Sequence, residues 1–153
     1  MYKKILVPLD GSDLSEHALE HLDAIAMADN SPGIILLRVV EPLAALVAGG
    51  SYALDIAAEA KEQAEVDAQE YLTKIADGLK KKGMSIETVV TDGDPADVIL
   101  SYAAENKVDL IIMSTHGRSG MSRWFFGSVA EKVLRHSTVP VLISPPLGTR
   151  ASN

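Results

Sequence analysis

The sequence predicts an α/β fold, an open parallel five-stranded sheet with helices on both faces. Three observations predict it. Five apolar runs of strand length alternate with four segments of helical period. Several of those runs are almost continuously apolar, as strands buried on both faces must be. Glycine and small-residue loops follow the first and fourth strands, where such a sheet places its ligand crevice if the strand order is 3-2-1-4-5. Pro8 to Ser12 and Ser114 to Gly117 would then face each other across that crevice.

The elements are read in chain order. Ile5, Leu6, Val7, Pro8 and Leu9 form a first, central strand, and Pro8, which lacks an N–H, should end its ladder. Ser12 is an N-cap for a helix carrying Leu14, Ala18, Leu22 and Ile25 on one face. Gly33 introduces a second strand over 34–40, apolar but for Arg38. Residues 41–54, with Pro42 and the pair Gly49 and Gly50, read as a loop. A long helix over about 56–82 follows, with Ala60, Ala64, Ala68, Tyr71, Leu72, Ile75 and Leu79 on its apolar stripe and Gly83 closing it. Ile86, Thr88 and Val90 alternate with Glu87, Val89 and Thr91, a half-polar pattern suited to an edge strand.

Asp94 followed by Pro95 starts a helix with Val98, Ile99 and Tyr102 inward. The fourth strand is read at 108–112 and the last at 139–143, where Pro140 points to a sheet edge. Between them, Ser128 and Glu131 have the spacing of a capping box, so a helix is predicted to start with Ser128 as its N-cap. Residues 1–146 are expected to form a single domain and 147–153 a flexible tail after Pro145 and Pro146.

Composition sets limits on function. Charged residues make up 23% and apolar ones 47%, as in an ordinary globular protein. A net charge of −7 argues against a general nucleic-acid binder, which needs a basic face. No apolar run approaches a membrane span or a signal peptide, so no membrane partner is expected. The absence of cysteine excludes disulfides and thiolate chemistry and fits a cytoplasmic location.

The stretch that concentrates chemistry runs from Met113 through Ser114, Gly117 and Gly120 to Gly127, Ser128 and Val129. A strand, a glycine-bearing loop and a helix N-terminus in succession make an anion site, because glycine lets the backbone come close and the helix dipole favours negative charge. Nine residues separate Gly117 from Gly127, and Ser114 stands three before Gly117. This resembles the nucleotide-binding type of the universal stress protein family, whose pattern is Gly-x-x-Gly, nine residues, then Gly-Ser or Gly-Thr. Ser114 stands where that pattern has its first glycine. If the position needs a positive φ, serine is strained there; if it needs only a small side chain, serine fits and adds a hydroxyl.

The resemblance covers nearly the whole chain and implies a Rossmann-like sheet of order 3-2-1-4-5. It also implies an ATP ligand, with which Mg²⁺ is expected, since Asp10 could hold the ion. Carried over by position, Pro8, Leu9 and Asp10 resemble the adenosine wall, and Val39 the residue whose backbone meets the adenine edge. Met113, Ser114 and Gly117 resemble the residues around ribose and phosphates, and Gly127, Ser128 and Val129 the phosphate contacts at the helix terminus. Asp10 has two readings, a turn-forming residue before Gly11 or a partner of ribose or Mg²⁺.

Other residues carry weaker signals. His17 and His21 share one helical face, as metal ligands can, yet no third ligand is evident and a solvated face is the better reading. His116 could reach a phosphate or fix the turn. Arg118 and Arg123 could offset phosphate charge or keep the loop soluble. Trp124, Phe125 and Phe126 read as packing under the loop or against a partner. With no Gly-Lys-Ser/Thr anywhere and no assignable nucleophile, the favoured function is an ATP-binding regulatory stress protein with little or slow hydrolysis. The alternatives are a Mg²⁺-dependent ATP hydrolase or phosphotransferase using Asp10, and a nucleotide-free interaction module. The apolar last strand predicts a homodimer by two-fold antiparallel edge pairing, which the resemblance also implies.

Overall fold

The structure, a computed structural model, describes residues 2–26, 32–42, 51–115 and 127–144. The sequence-predicted features at 43–50, those at 116–126 (Gly117 and Gly120 among them) and the tail from Pro145 onward lie outside these residues.

Five strands, β1 (Lys4–Pro8), β2 (Gly33–Val40), β3 (Ser85–Asp92), β4 (Leu110–Ser114) and β5 (Val141–Ser144), form one sheet of order β3-β2-β1-β4-β5. Every pairing is parallel, with Leu6 opposite Ile35 on one side and Ile111 on the other. The sheet order and fold class are as the sequence predicts. Alternation along the strands divides the core into two layers. Ile5, Val7, Leu9, Ile34, Leu36 and Ile112 face one side; Leu6, Ile35, Leu37, Ile111 and Met113 face the other.

The first layer is covered by α1 (Asp13–Glu16), a 3-10 turn (His17–Leu19), α2 (Glu20–Ala26) and α3 (Ser51–Lys81). Ala18, Leu22, Leu72, Ala76 and Leu79 are buried against it. The second is covered by α4 (Pro95–Glu105) and α5 (Ser128–His136) through Ala96, Ile99, Ala103, Ala130 and Val133. The first helix is therefore not continuous, as its apolar stripe predicted, but tightens at His17. The long helix begins at Ser51, five residues before its predicted start, because its first turns carry Leu54 and Ile56 exposed and show no inward stripe. Its end is as predicted: Gly83 adopts φ +88, with Gly83 N–H donating to Lys80 and Met84 N–H to Leu79, a Schellman closure.

Two strand starts are corrected. Asp109 precedes β4, and its carboxylate instead accepts from the N–H groups of Lys3 (2.7 Å) and Lys4 (3.1 Å). Val139 and Pro140 precede β5, because the Val139 N–H is taken by the Ser137 hydroxyl and Pro140 has none. β5 still lies at the sheet edge.

Candidate functional site at the carboxyl edge of the sheet

At the carboxyl end of β1, Leu9 N–H donates to Leu37 O, and the chain turns at Gly11 with φ +86. Asp10 shapes this turn: its Oδ1 accepts from the Ser12 N–H (2.9 Å) and hydroxyl. Ser12 caps α1 as predicted, its Oγ accepting from Ser15 N–H at 3.2 Å. Ser15 closes the network by accepting from Asp10 N–H and donating to Ser12 O. The turn-forming role of Asp10 is thus realised, and its exposed carboxylate stands at the crevice. Behind it, the Tyr71 hydroxyl donates to Glu16 at 3.0 Å. Burial, then that hydrogen bond and the Glu16 charge, push the phenol well above its ordinary range, so Tyr71 stays a neutral donor.

Across the crevice, Ser114 ends β4 without a positive φ, since Lys107 alone among the described non-glycine residues has one. Its hydroxyl donates to Leu14 O at 2.6 Å. Of the two sequence alternatives for this position, the positive-φ one is thereby ruled out. The backbone does not require glycine, and the added hydroxyl is spent on the first helix.

The α5 terminus differs from its predicted form. Gly127, not Ser128, is the N-cap, because Gly127 O accepts the first helical bond from Glu131 N–H at 2.9 Å. The Glu131 carboxylate is drawn to Arg135 (2.7 and 3.1 Å), so the capping box does not form. Gly127 has no side chain to cap the first turn, and the exposed Ser128 lies at the mouth of the crevice.

Pro8, Leu9, Asp10, Val39, Met113, Ser114, Gly127, Ser128 and Val129 line one cavity of about 370 Å³. The remaining predicted member, Gly117, lies outside the described residues. The cavity also takes in Ser15, Arg38, Glu41, Pro95 and Ile99, which sequence reasoning did not assign to a site. The signal for Arg38 was present, a charge interrupting the apolar run of the second strand.

The two helix histidines are not simply solvated. His17 meets Glu20 at 3.2 Å, and the half-buried His21 meets Ser144 Oγ at 3.0 Å. Among the described residues no cluster of three or more metal-ligating side chains occurs, and no helix is long and apolar enough to cross a membrane.

An open parallel sheet of order 3-2-1-4-5, with a crevice between its first and fourth strands, defines a Rossmann-like α/β protein. A family-wide sequence model described as the universal stress protein family matches residues 1–145, and the chain belongs to that family. It is 38% identical over 144 residues to universal stress protein MJ0531 of Methanocaldococcus jannaschii, covering 94% of this chain and 82% of that one. It is 32% identical to universal stress protein YxiE of Bacillus subtilis, covering 94% and 99%. Among solved structures, MJ0577 of Methanocaldococcus jannaschii superposes with a TM-score of 0.77 at 29% identity, covering 100% and 99%. A universal stress protein in complex with cAMP superposes with a TM-score of 0.59 at 28% identity, covering 95% and 98%.

Proposed function

We propose that the protein is an adenine-nucleotide-binding regulatory stress protein, binding ATP with Mg²⁺ in the crevice between β1 and β4, with slow hydrolysis at most. The carrying observation is that residues from the ends of β1, β2 and β4 and from the start of α5 together line a cavity. Its volume of about 370 Å³ lies within the usual range for small-ligand sites. Its chemistry suits a nucleotide. Leu9, Val39, Met113 and Ile99 offer apolar surface for a base, and the first turn of α5, with glycine as its N-cap, offers N–H donors for phosphate. The solved relative that holds cAMP supports the same ligand class.

Asp10 and Glu41 are the carboxylates lining the cavity and would hold Mg²⁺ or ribose hydroxyls. The chain's own contribution is to bind and orient. Ser12 and Ser15 fix Asp10, while Ser114 fixes the first helix against β4. Denaturing the purified protein and identifying the released small molecule by mass spectrometry tests the reading, together with calorimetric titration of ATP, ADP, AMP and cAMP. Binding of an adenine nucleotide without steady phosphate release is the expected result. Steady Mg²⁺-dependent release lost in Asp10→Ala would make it a hydrolase instead, and no binding of any of the four would overturn nucleotide recognition.

A further inference from the structure

Arg38 is the cation that the described part of the cavity presents to its occupant, and we infer that its guanidinium reads a phosphate of the bound nucleotide. This deepens the proposed function and rests on it. The side chain leaves β2 on the same face as Ile34 and Leu36 and reaches over the β1–α1 turn. A methyl group built on Gly11 would lie 3.5, 3.6 and 3.6 Å from Nη2, Cζ and Nη1. Three near-equal distances mean that the flat face of the guanidinium covers Gly11. Its edge, which carries the donors, is thereby left for other partners.

Those donors are poorly used. Among the described residues the one side-chain hydrogen bond of Arg38 runs from Nη1 to Leu9 O at 3.5 Å, the outer limit for such a bond. No carboxylate among the described residues forms an ion pair with it, although Asp10 and Glu41 line the same cavity. Among the described residues this half-buried guanidinium, with five N–H donors, makes one long bond, which leaves donors available to a ligand. Its planar fork matches two phosphate oxygens, and the match is stronger where water is partly excluded. In a chain of net charge −7, with two carboxylates in the cavity wall, an anionic ligand needs such an offset. The α5 terminus supplies dipoles; Arg38 supplies the full charge.

Calorimetric titration of adenosine, AMP, ADP and ATP into the native protein, Arg38→Gln and Arg38→Lys tests this. Charge-assisted contacts of this kind correspond to about 10–100-fold in affinity. Arg38→Gln should therefore lose that much for the phosphorylated ligands while adenosine changes by less than about threefold. Arg38→Lys should fall between, keeping charge without the fork. Equal losses for adenosine and ATP would overturn the inference, because Arg38 would then only hold the Leu9–Gly11 turn. Unchanged ATP affinity in Arg38→Gln would overturn it while leaving the nucleotide reading intact. If Arg38→Gln does not fold, an Arg38→Lys protein with native ATP affinity overturns it. Failure of the native protein to bind any of the four would overturn the functional reading and this inference with it.

Discussion

Ser114 shows how one side chain decides what a motif position does. The family pattern places glycine there, yet the backbone at 114 is ordinary strand and the hydroxyl reaches 2.6 Å to Leu14 O. The helix tightens to 3-10 geometry three residues beyond that carbonyl, so the contact joins the fourth strand to the segment that follows the Asp10 turn. Ser114→Gly removes one hydrogen bond and adds chain entropy to the unfolded state, together about 1–2 kcal/mol. For a chain of this length the melting temperature should fall by roughly 2–8 °C. The shift on adding ATP should stay nearly the same, since the hydroxyl is committed to Leu14. A ligand-induced shift that collapses in Ser114→Gly would show that the hydroxyl serves the nucleotide instead.

Among the elements, α4 gives two tests of local chemistry. Its N-cap, Asp94, accepts from Asp97 N–H at 3.1 Å, and that bond, with help from Lys132, holds its carboxyl below the usual range. A carboxyl depressed in the folded state contributes stability that is present above its unfolded pKa, near 4, and lost as pH falls through the folded value. Thermal melts at pH 7 and pH 3 should differ less for Asp94→Asn than for the native protein; an equal difference would remove Asp94 from the acid response. At the other end, Lys107 holds φ 55 while Val108 N–H donates to Ala103 O, a closure that favours glycine. Lys107→Gly should stabilise the fold by about 1 kcal/mol, read as a rise of roughly 2–4 °C in melting temperature. The buried strands were legible because a run such as Ile34 to Leu37 admits few other placements. The starts of β4, β5 and α5 were not, because they turn on single bonds made by Asp109, Ser137 and Gly127. Of the cavity wall, Pro8 to Asp10, Met113, Ser114 and Gly127 to Val129 were named from the sequence, through loop chemistry and the family pattern together. Pro95 and Ile99 were not, since a helical pattern gives no sign that its first turns also wall a cavity.

At the scale of the whole molecule the edge at β5 and the crevice make separate predictions. Val141, Leu142 and Ile143 are half-exposed on an edge strand, and Leu134 on the neighbouring α5 is 38% exposed. Such an edge invites antiparallel pairing with a second copy, so light scattering at micromolar concentration should give a dimer that Val141→Lys dissociates. A monomer, or a dimer indifferent to Val141→Lys, would count against pairing there. The crevice predicts linkage between ligand and fold. A ligand that binds only the native state, at about a hundred times its dissociation constant, adds roughly 2.7 kcal/mol. For this chain length that corresponds to a melting shift of roughly 5–10 °C with Mg²⁺-ATP. On the proposed binding mode, the family pattern puts Gly117 where phosphate approaches the backbone, and valine, a β-branched residue, would fill that space. Gly117→Val should therefore abolish most of the ligand-induced shift. The comparison is between shifts and not absolute melting temperatures, because the substitution can also lower stability without ligand. A full shift retained in Gly117→Val would place the phosphates away from this loop, and no shift in the native protein with ATP, ADP or AMP would remove nucleotide binding from the account of the fold.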